Sequence, residues 1–127
     1  MNDSLNVYEE PLKICGKNPI TGAFRDGCCN TSENDYGTHT VCAIVDDNFL
    51  NFSKERGNDL ISDNPIYGFK GLKSGDKWCL CISRWIEAYR HGVAPPIILE
   101  STHIKTLKYI SLDILIYYTY IYNSLAK

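Results

Sequence analysis

The chain has 127 residues, a net charge of −2 and 44% apolar residues. That is enough for one domain with a single real core. Both signs of charge are spread along it, so no basic footprint for nucleic acid and no acidic tail stands out.

Residues 1–37 are expected to be mostly irregular and residues 38–127 to form the core of one domain spanning 1–127. Pro11, Gly16, Pro19, Gly22 and Gly27, with Asn and Asp between them, are turn chemistry. Val7 and the pair Leu12–Ile14 are the expected anchors of this segment. The start, Met-Asn-Asp-Ser-Leu-Asn, has neither a basic n-region nor an apolar h-region, so no secretory signal is read from it. The six cysteines are accordingly expected to be reduced thiols of a cytoplasmic protein.

The alternation from His39 to Val45 predicts a strand, followed by a helix capped by Asp46 or Asp47 and stopped at Gly57. Asn58 to Asp76 is a second long loop. Its glycines do not fit the Gly-x4-Gly-Lys-Ser/Thr pattern of a phosphate loop. Lys77 to Ile82 predicts an interior strand with Trp78, Leu80 and Ile82 on one face and Cys79 and Cys81 on the other. Ser83 is then placed to cap a helix carrying Trp85, Ala88 and Tyr89. His91-Gly92 and Pro95-Pro96 end that helix. Ile97–Glu100 is a short apolar strand, Ser101 or Thr102 caps a short helix, and Ser111 caps a last one. The run Leu112–Leu125 is shorter than the roughly 20 residues a membrane span needs. The order loop, β, α, loop, β, α, β, α, α predicts an α+β fold. It would be a small two-layer domain with about three strands, helices packed on one face and two long ordered loops. A parallel α/β sheet is the runner-up.

Several short stretches together resemble one family. They include Thr21-Gly22, Phe24-Arg25-Asp26-Gly27-Cys28-Cys29, His39-Thr40-Val41-Cys42-Ala43 and Gly57-Asn58-Asp59-Leu60. Gly71-Leu72-Lys73, Gly75-Asp76, Trp78-Cys79-Leu80-Cys81, Arg84-Trp85, Gly92-Val93-Ala94-Pro95-Pro96 and Thr102-His103 complete the set. The resemblance is to an uncharacterised, mainly bacterial family, domain of unknown function two-two-three-seven, and covers nearly the whole chain. It implies a small α+β fold and no particular activity. Two departures are Ala23, where an aromatic is usual, and the Ile- and Tyr-rich ending.

Cys79 and Cys81, two apart on a strand, would have Cβ atoms roughly 6.6 Å apart, whereas a disulfide needs about 3.8 Å. Both are read as small buried residues under a helix. Cys28 or Cys29 is the better candidate for a reactive thiol, with Arg25 placed to lower its pKa. No cofactor is predicted, and no metal residue is assigned. Zinc is the minor alternative, built from Cys28 or Cys29, His39, Cys42 and His103; the absence of a Cys-x-x-Cys pair counts against it. His91 is expected to complement a helix C-terminus. His39, His103 and Glu100 would make an acid–base set if the fold joined them. Arg84 near a helix start calls for a partner, Asp26, Asp76 or a bound anion.

The candidate ligand-binding set is therefore Arg25, Asp26, Cys28, Cys29, His39, Asn58, Asp59, Asp76, Arg84 and His103. It belongs to a site where loop 22–37 meets loop 58–76 and the start of the Arg84 helix. The function expected is a cytosolic small-molecule-binding protein or enzyme, with no nucleic acid or membrane partner. The alternative is a non-catalytic interaction module, whose tyrosine-rich last helix docks a partner or a second copy of the chain.

Overall fold

The central pairing is antiparallel: β1 (Val41–Ile44) lies against β2 (Lys77–Leu80), with Val41 opposite Leu80, Cys42 opposite Cys79 and Ala43 opposite Trp78. The computed structural model describes residues 4–119. Among them are three α-helices and this two-stranded sheet, a small α+β fold. The amides of Cys42 and Cys79 point outward from the ladder, to the hydroxyls of Thr102 (3.2 Å) and Thr21 (2.8 Å). Cys42 and Cys79 therefore form a non-hydrogen-bonded pair, the kind whose side chains approach most closely.

The expected third strand does not form. Ile97 makes a single antiparallel bridge to Ala43, with Ile98 N donating to Cys42 O and Ile44 N to Pro96 O. The chain then turns into a 3-10 helix at Leu99–Ser101. Pro96 has no N–H to extend a ladder, which confines the contact to one bridge. The Trp78 strand is likewise shorter than expected, ending at Leu80, and it pairs with a strand on one side only.

The helix α1 (Asp47–Glu55) follows its sequence signals. The Asp46 carboxylate accepts from Phe49 N at 2.8 Å, and Gly57 at φ 93° carries the chain out of the helix. In α2 (Ile82–Arg90) Ile82, Trp85 and Ala88 are buried. Ser83 does not cap it: the helix begins one residue earlier, and the Ser83 hydroxyl meets the Cys81 sulfur at 3.0 Å. The first amide of α2, on Ile82, is instead taken by the carbonyl of Thr38. His103 caps the 3-10 helix Ile104–Lys108, its Nδ1 accepting from Lys105 N, where Ser101 or Thr102 was expected to cap. The last helix, α3, is Leu112–Tyr117; the rest of the expected helix, with Tyr120 and Tyr122, lies outside the described residues.

Phe49, Leu50, Trp85, Ile97 and Leu115 form the centre of the apolar core, each at most 2% exposed. Burying each such side chain stabilises by about 1.5–3 kcal/mol. Trp85 Nε1 donates to Pro95 O at 3.1 Å, so its polar atom is not stranded. Its ring stacks on Tyr89 and meets Tyr118 edge-on.

The N-terminal segment has almost no regular structure and is held by side chains. Asn6 is fully buried; its Oδ1 accepts from Tyr8 N and Glu10 N and its Nδ2 donates to Glu100 O. Val7 and Leu12 are anchors as expected, whereas Ile14 is 53% exposed.

The cysteines overturn the reduced state expected of them. Cys15 bonds Cys42 and Cys29 bonds Cys79, across 27 and 50 residues. Cys28 and Cys81 are free and half-buried. Comparing Cys79 with its sequence neighbour Cys81 could not find these bonds, because both are made between a strand and a loop. Disulfides persist in oxidising surroundings, so the cysteines give no ground for a reducing cytoplasm. No helix among the described residues is long and apolar enough to cross a membrane.

Candidate functional site

Loop 22–35 and loop 59–69 face one another against Trp78 and Cys79 and leave an open cleft of about 590 Å³. That is a size suited to a small ligand. One wall is aromatic: Phe24, Phe69 and Trp78, with the Phe69 and Trp78 rings 5.3 Å apart. The Arg25 guanidinium lies over Trp78, 5.1 Å from the ring centroid, and also donates to Gly22 O.

The polar side is built on Asp35. Its side chain is only 4% exposed. One carboxylate oxygen accepts from His39 N (2.9 Å) and the Thr31 hydroxyl (3.0 Å); the other lies 2.6 Å from His39 Nδ1. Burial alone would push the Asp35 carboxyl up, but the His39 amide and ring and the Thr31 hydroxyl outweigh it and hold it below its ordinary value. An ionised carboxylate only accepts, so Nδ1 carries the proton and Nε2 is the free position of the ring. No group among the described residues bonds Nε2, and the His39 side chain is 42% exposed. Gly37 gives the ring its room, since a Cβ there would come 2.4 Å from His39 Cε1.

Two residues beside the cleft adopt left-handed backbone without being glycine: Arg25 at φ 54° and Thr38 at φ 50°. For a β-branched residue such as Thr38 this is a true outlier, costing about 1–3 kcal/mol. Thr38 holds the turn between Asp35 and His39; its amide donates to Asp35 O.

The other expected residues divide. Arg25, His39 and Asp59 line the cleft. Asp59 accepts from the Ser62 hydroxyl and the Ser62 and Ile61 amides, which push its carboxyl down to about 2; it is occupied with shaping its own turn. Asp26 accepts from Cys28 N, Asp76 pairs with Lys73, and the Asn58 carbonyl accepts from the Ser53 hydroxyl. Arg84 finds neither Asp26 nor Asp76; it donates to Arg56 O at 3.1 Å and pairs with Glu87. The start of the Arg84 helix is thus not part of the cleft.

Burial and the nearby Asp26 push the Cys28 thiol up, opposite to the lowering expected from Arg25. Cys29 is fully buried in its disulfide. His103 and Glu100 do not line the cleft; Glu100 pairs with Lys13 at 3.0 Å. Burial, and then Lys105, push the His103 ring down. The mixed zinc set does not assemble: Cys29 and Cys42 share a sulfur cluster that contains neither His39 nor His103. At the end of α2, His91 Nδ1 donates to Glu87 O and Nε2 accepts from Arg56. Of the tyrosines at the C-terminal end, Tyr117 is 63% exposed, while Tyr118 packs on Trp85 and Tyr89.

Sequence reasoning missed Asp35, and it read Trp78 as core alone. A carboxylate four residues before a histidine was the available signal. Outside a helix that spacing carries no geometry of its own.

Fold and cleft define a small α+β protein with an open, loop-walled cleft beside a histidine–carboxylate pair. Residues 5–119 match the family described as an uncharacterised protein conserved in bacteria, DUF2237, and the chain belongs to that family. No curated protein matches it.

Proposed function

We propose that the chain binds a small organic molecule in the cleft between loops 22–35 and 59–69, with His39 as the group that exchanges a proton with it. The observation that carries this is the buried Asp35 carboxylate, which fixes the ring of the cleft-lining His39 and leaves its Nε2 unbonded. A histidine held in one tautomer by a carboxylate is a competent proton acceptor, and the ring can return the proton in a later step. The aromatic wall favours a ligand with a flat or apolar part. Arg25, already balanced over Trp78, favours a ligand with an anionic end. The left-handed turns at Arg25 and Thr38 support the same reading, because backbone strain is retained where a site uses it.

The test is a thermal-shift screen of the whole chain against aromatic carboxylates, organic phosphates and nucleotides, repeated with His39→Ala. We expect one class to raise the melting temperature of the wild type and to lose at least about tenfold in affinity with the variant, roughly 1.4 kcal/mol. The reading fails if no probe shifts the wild type, or if the shift survives both His39→Ala and Arg25→Ala. The same cleft would bind without catalysis if bound probes are recovered unchanged.

A further inference from the structure

Two disulfides require two pairs of sulfurs, but not that the pairs lie side by side. Here they do. The Sγ atoms of Cys15, Cys29 and Cys79 lie within 4.8 Å of one another, and Cys42 is bonded to Cys15. The four residues form a cluster of their own beneath Ile98, none more than 3% exposed. We infer that Cys15, Cys29, Cys42 and Cys79, when both disulfides are reduced, hold one soft divalent metal ion of the zinc class as a closed tetrathiolate.

The geometry supports this in three ways. In a zinc tetrathiolate the sulfurs sit roughly 3.8 Å apart, so Cys15 has to approach Cys29 and Cys79 by at most about 1 Å; Cys42, which lies outside the 4.8 Å group, has farther to come, and the bonded partners separate. Second, hydrogen bonds position the four residues alongside the disulfides. Cys42 and Cys79 are opposed on paired strands, and their amides are held by Thr102 and Thr21. The loop carrying Cys15 and Cys29 is closed by backbone bonds from Cys15 and Gly16 to Gly27 O and from Gly27 to Thr21 O. Third, all four donors are sulfur, which selects zinc-class metals over magnesium or calcium, and burial leaves no open position for substrate. The metal would therefore be structural, with Cys79 shared between this site and the floor of the cleft.

The conversion balances. Each disulfide takes two electrons and two protons from a dithiol, which leaves as its own disulfide. The four thiols then release four protons as they bind the divalent ion, so binding weakens as the pH falls.

The test uses the whole chain, reduced with a phosphine that is itself oxidised to the phosphine oxide, and titrated with Co(II) in the absence of oxygen. A single Co(II) should bind, giving near-ultraviolet thiolate-to-cobalt absorption and the visible bands of tetrahedral cobalt, both abolished by added zinc. Alkylation of the zinc-loaded chain should label Cys28 and Cys81 and spare the other four. Cys42→Ser should lose the tetrathiolate bands, and the double variant Cys28→Ser with Cys81→Ser should keep them. The inference is overturned if the reduced wild type gives no such bands, including by remaining unfolded in circular dichroism with metal present. It is also overturned if the bands follow Cys28 and Cys81. His39 belongs to none of these readouts, so they succeed or fail independently of it.

Discussion

The two halves of this molecule are ordered by different means. From residue 41 onward, helices and strands bury Phe49, Trp85, Ile97 and Leu115, and apolar burial does the work. Before residue 41, the described chain has no α-helix or strand of its own and is held by Asn6, by two disulfides and by hydroxyls such as Thr21. A core of the first kind tolerates exchange of one apolar group for another of similar volume. A segment of the second kind depends on a few atoms, each with a specific partner. The cleft lies where the two meet, with its histidine on one side of the boundary and Trp78 on the other.

That contrast can be broken from either side. The largest effect is expected from Trp85→Ala, at about 3–5 kcal/mol, because it empties the middle of the core. Urea denaturation should show the whole transition moving to lower concentration. Replacing Cys29 and Cys79 together by Ala removes a closure of 50 residues and should cost about 4 kcal/mol by the loop-entropy model. Here hydrogen exchange should speed up first in residues 4–40, with α1 and α2 still protected; uniform loss of protection would erase the distinction between the halves. Asn6→Ala removes the acceptor of the Tyr8 and Glu10 amides and one of the two donors to the Glu100 carbonyl, which keeps Lys13 N, and should cost about 1–3 kcal/mol.

The smallest effect concerns acid. The Asp35 carboxyl is lowered in the folded chain, so its contribution is present at neutral pH, above its unfolded value, and is lost as the pH falls through the folded one. The His103 ring is also lowered, so its share begins to disappear earlier, as the pH drops below the ordinary histidine range. In a pH series of melting temperatures, Asp35→Asn should flatten only the more acidic limb and His103→Gln only the milder one. If Asp35→Asn leaves the acidic limb unchanged, the Asp35–His39 contact does not hold the cleft in solution.

Much of the regular half could be read from the sequence because its signals are local. Asp46 three residues before Phe49, Gly57 after Arg56, and the alternation around Val41 and Trp78 each act within one turn or one strand. The α+β class followed from them. The irregular half could not be read in this way. Which cysteine meets which depends on strands far apart in sequence, and Cys15 and Cys29 become partners of the sheet only after the loop has closed. The same holds for the candidate site. Arg25, Asp59 and His39, which line the cleft, were singled out because polar loop pairs and a histidine at an element end invite attention. Asp35 was not, since its importance rests on a turn at Thr38 that no local rule anticipates. Ser83 shows the reverse error: a good capping residue was available, but a carbonyl from another part of the chain reached the helix first.

Thr38 ties these observations to a practical consequence. Exchanging it for glycine would relieve an unfavourable rotation and leave its carbonyl free to meet α2 as before. The substituted chain should tolerate more heat. The turn between Asp35 and His39 would also gain freedom, and the imidazole would be aimed less sharply. At this position, hardiness and a firmly aimed imidazole pull in opposite directions.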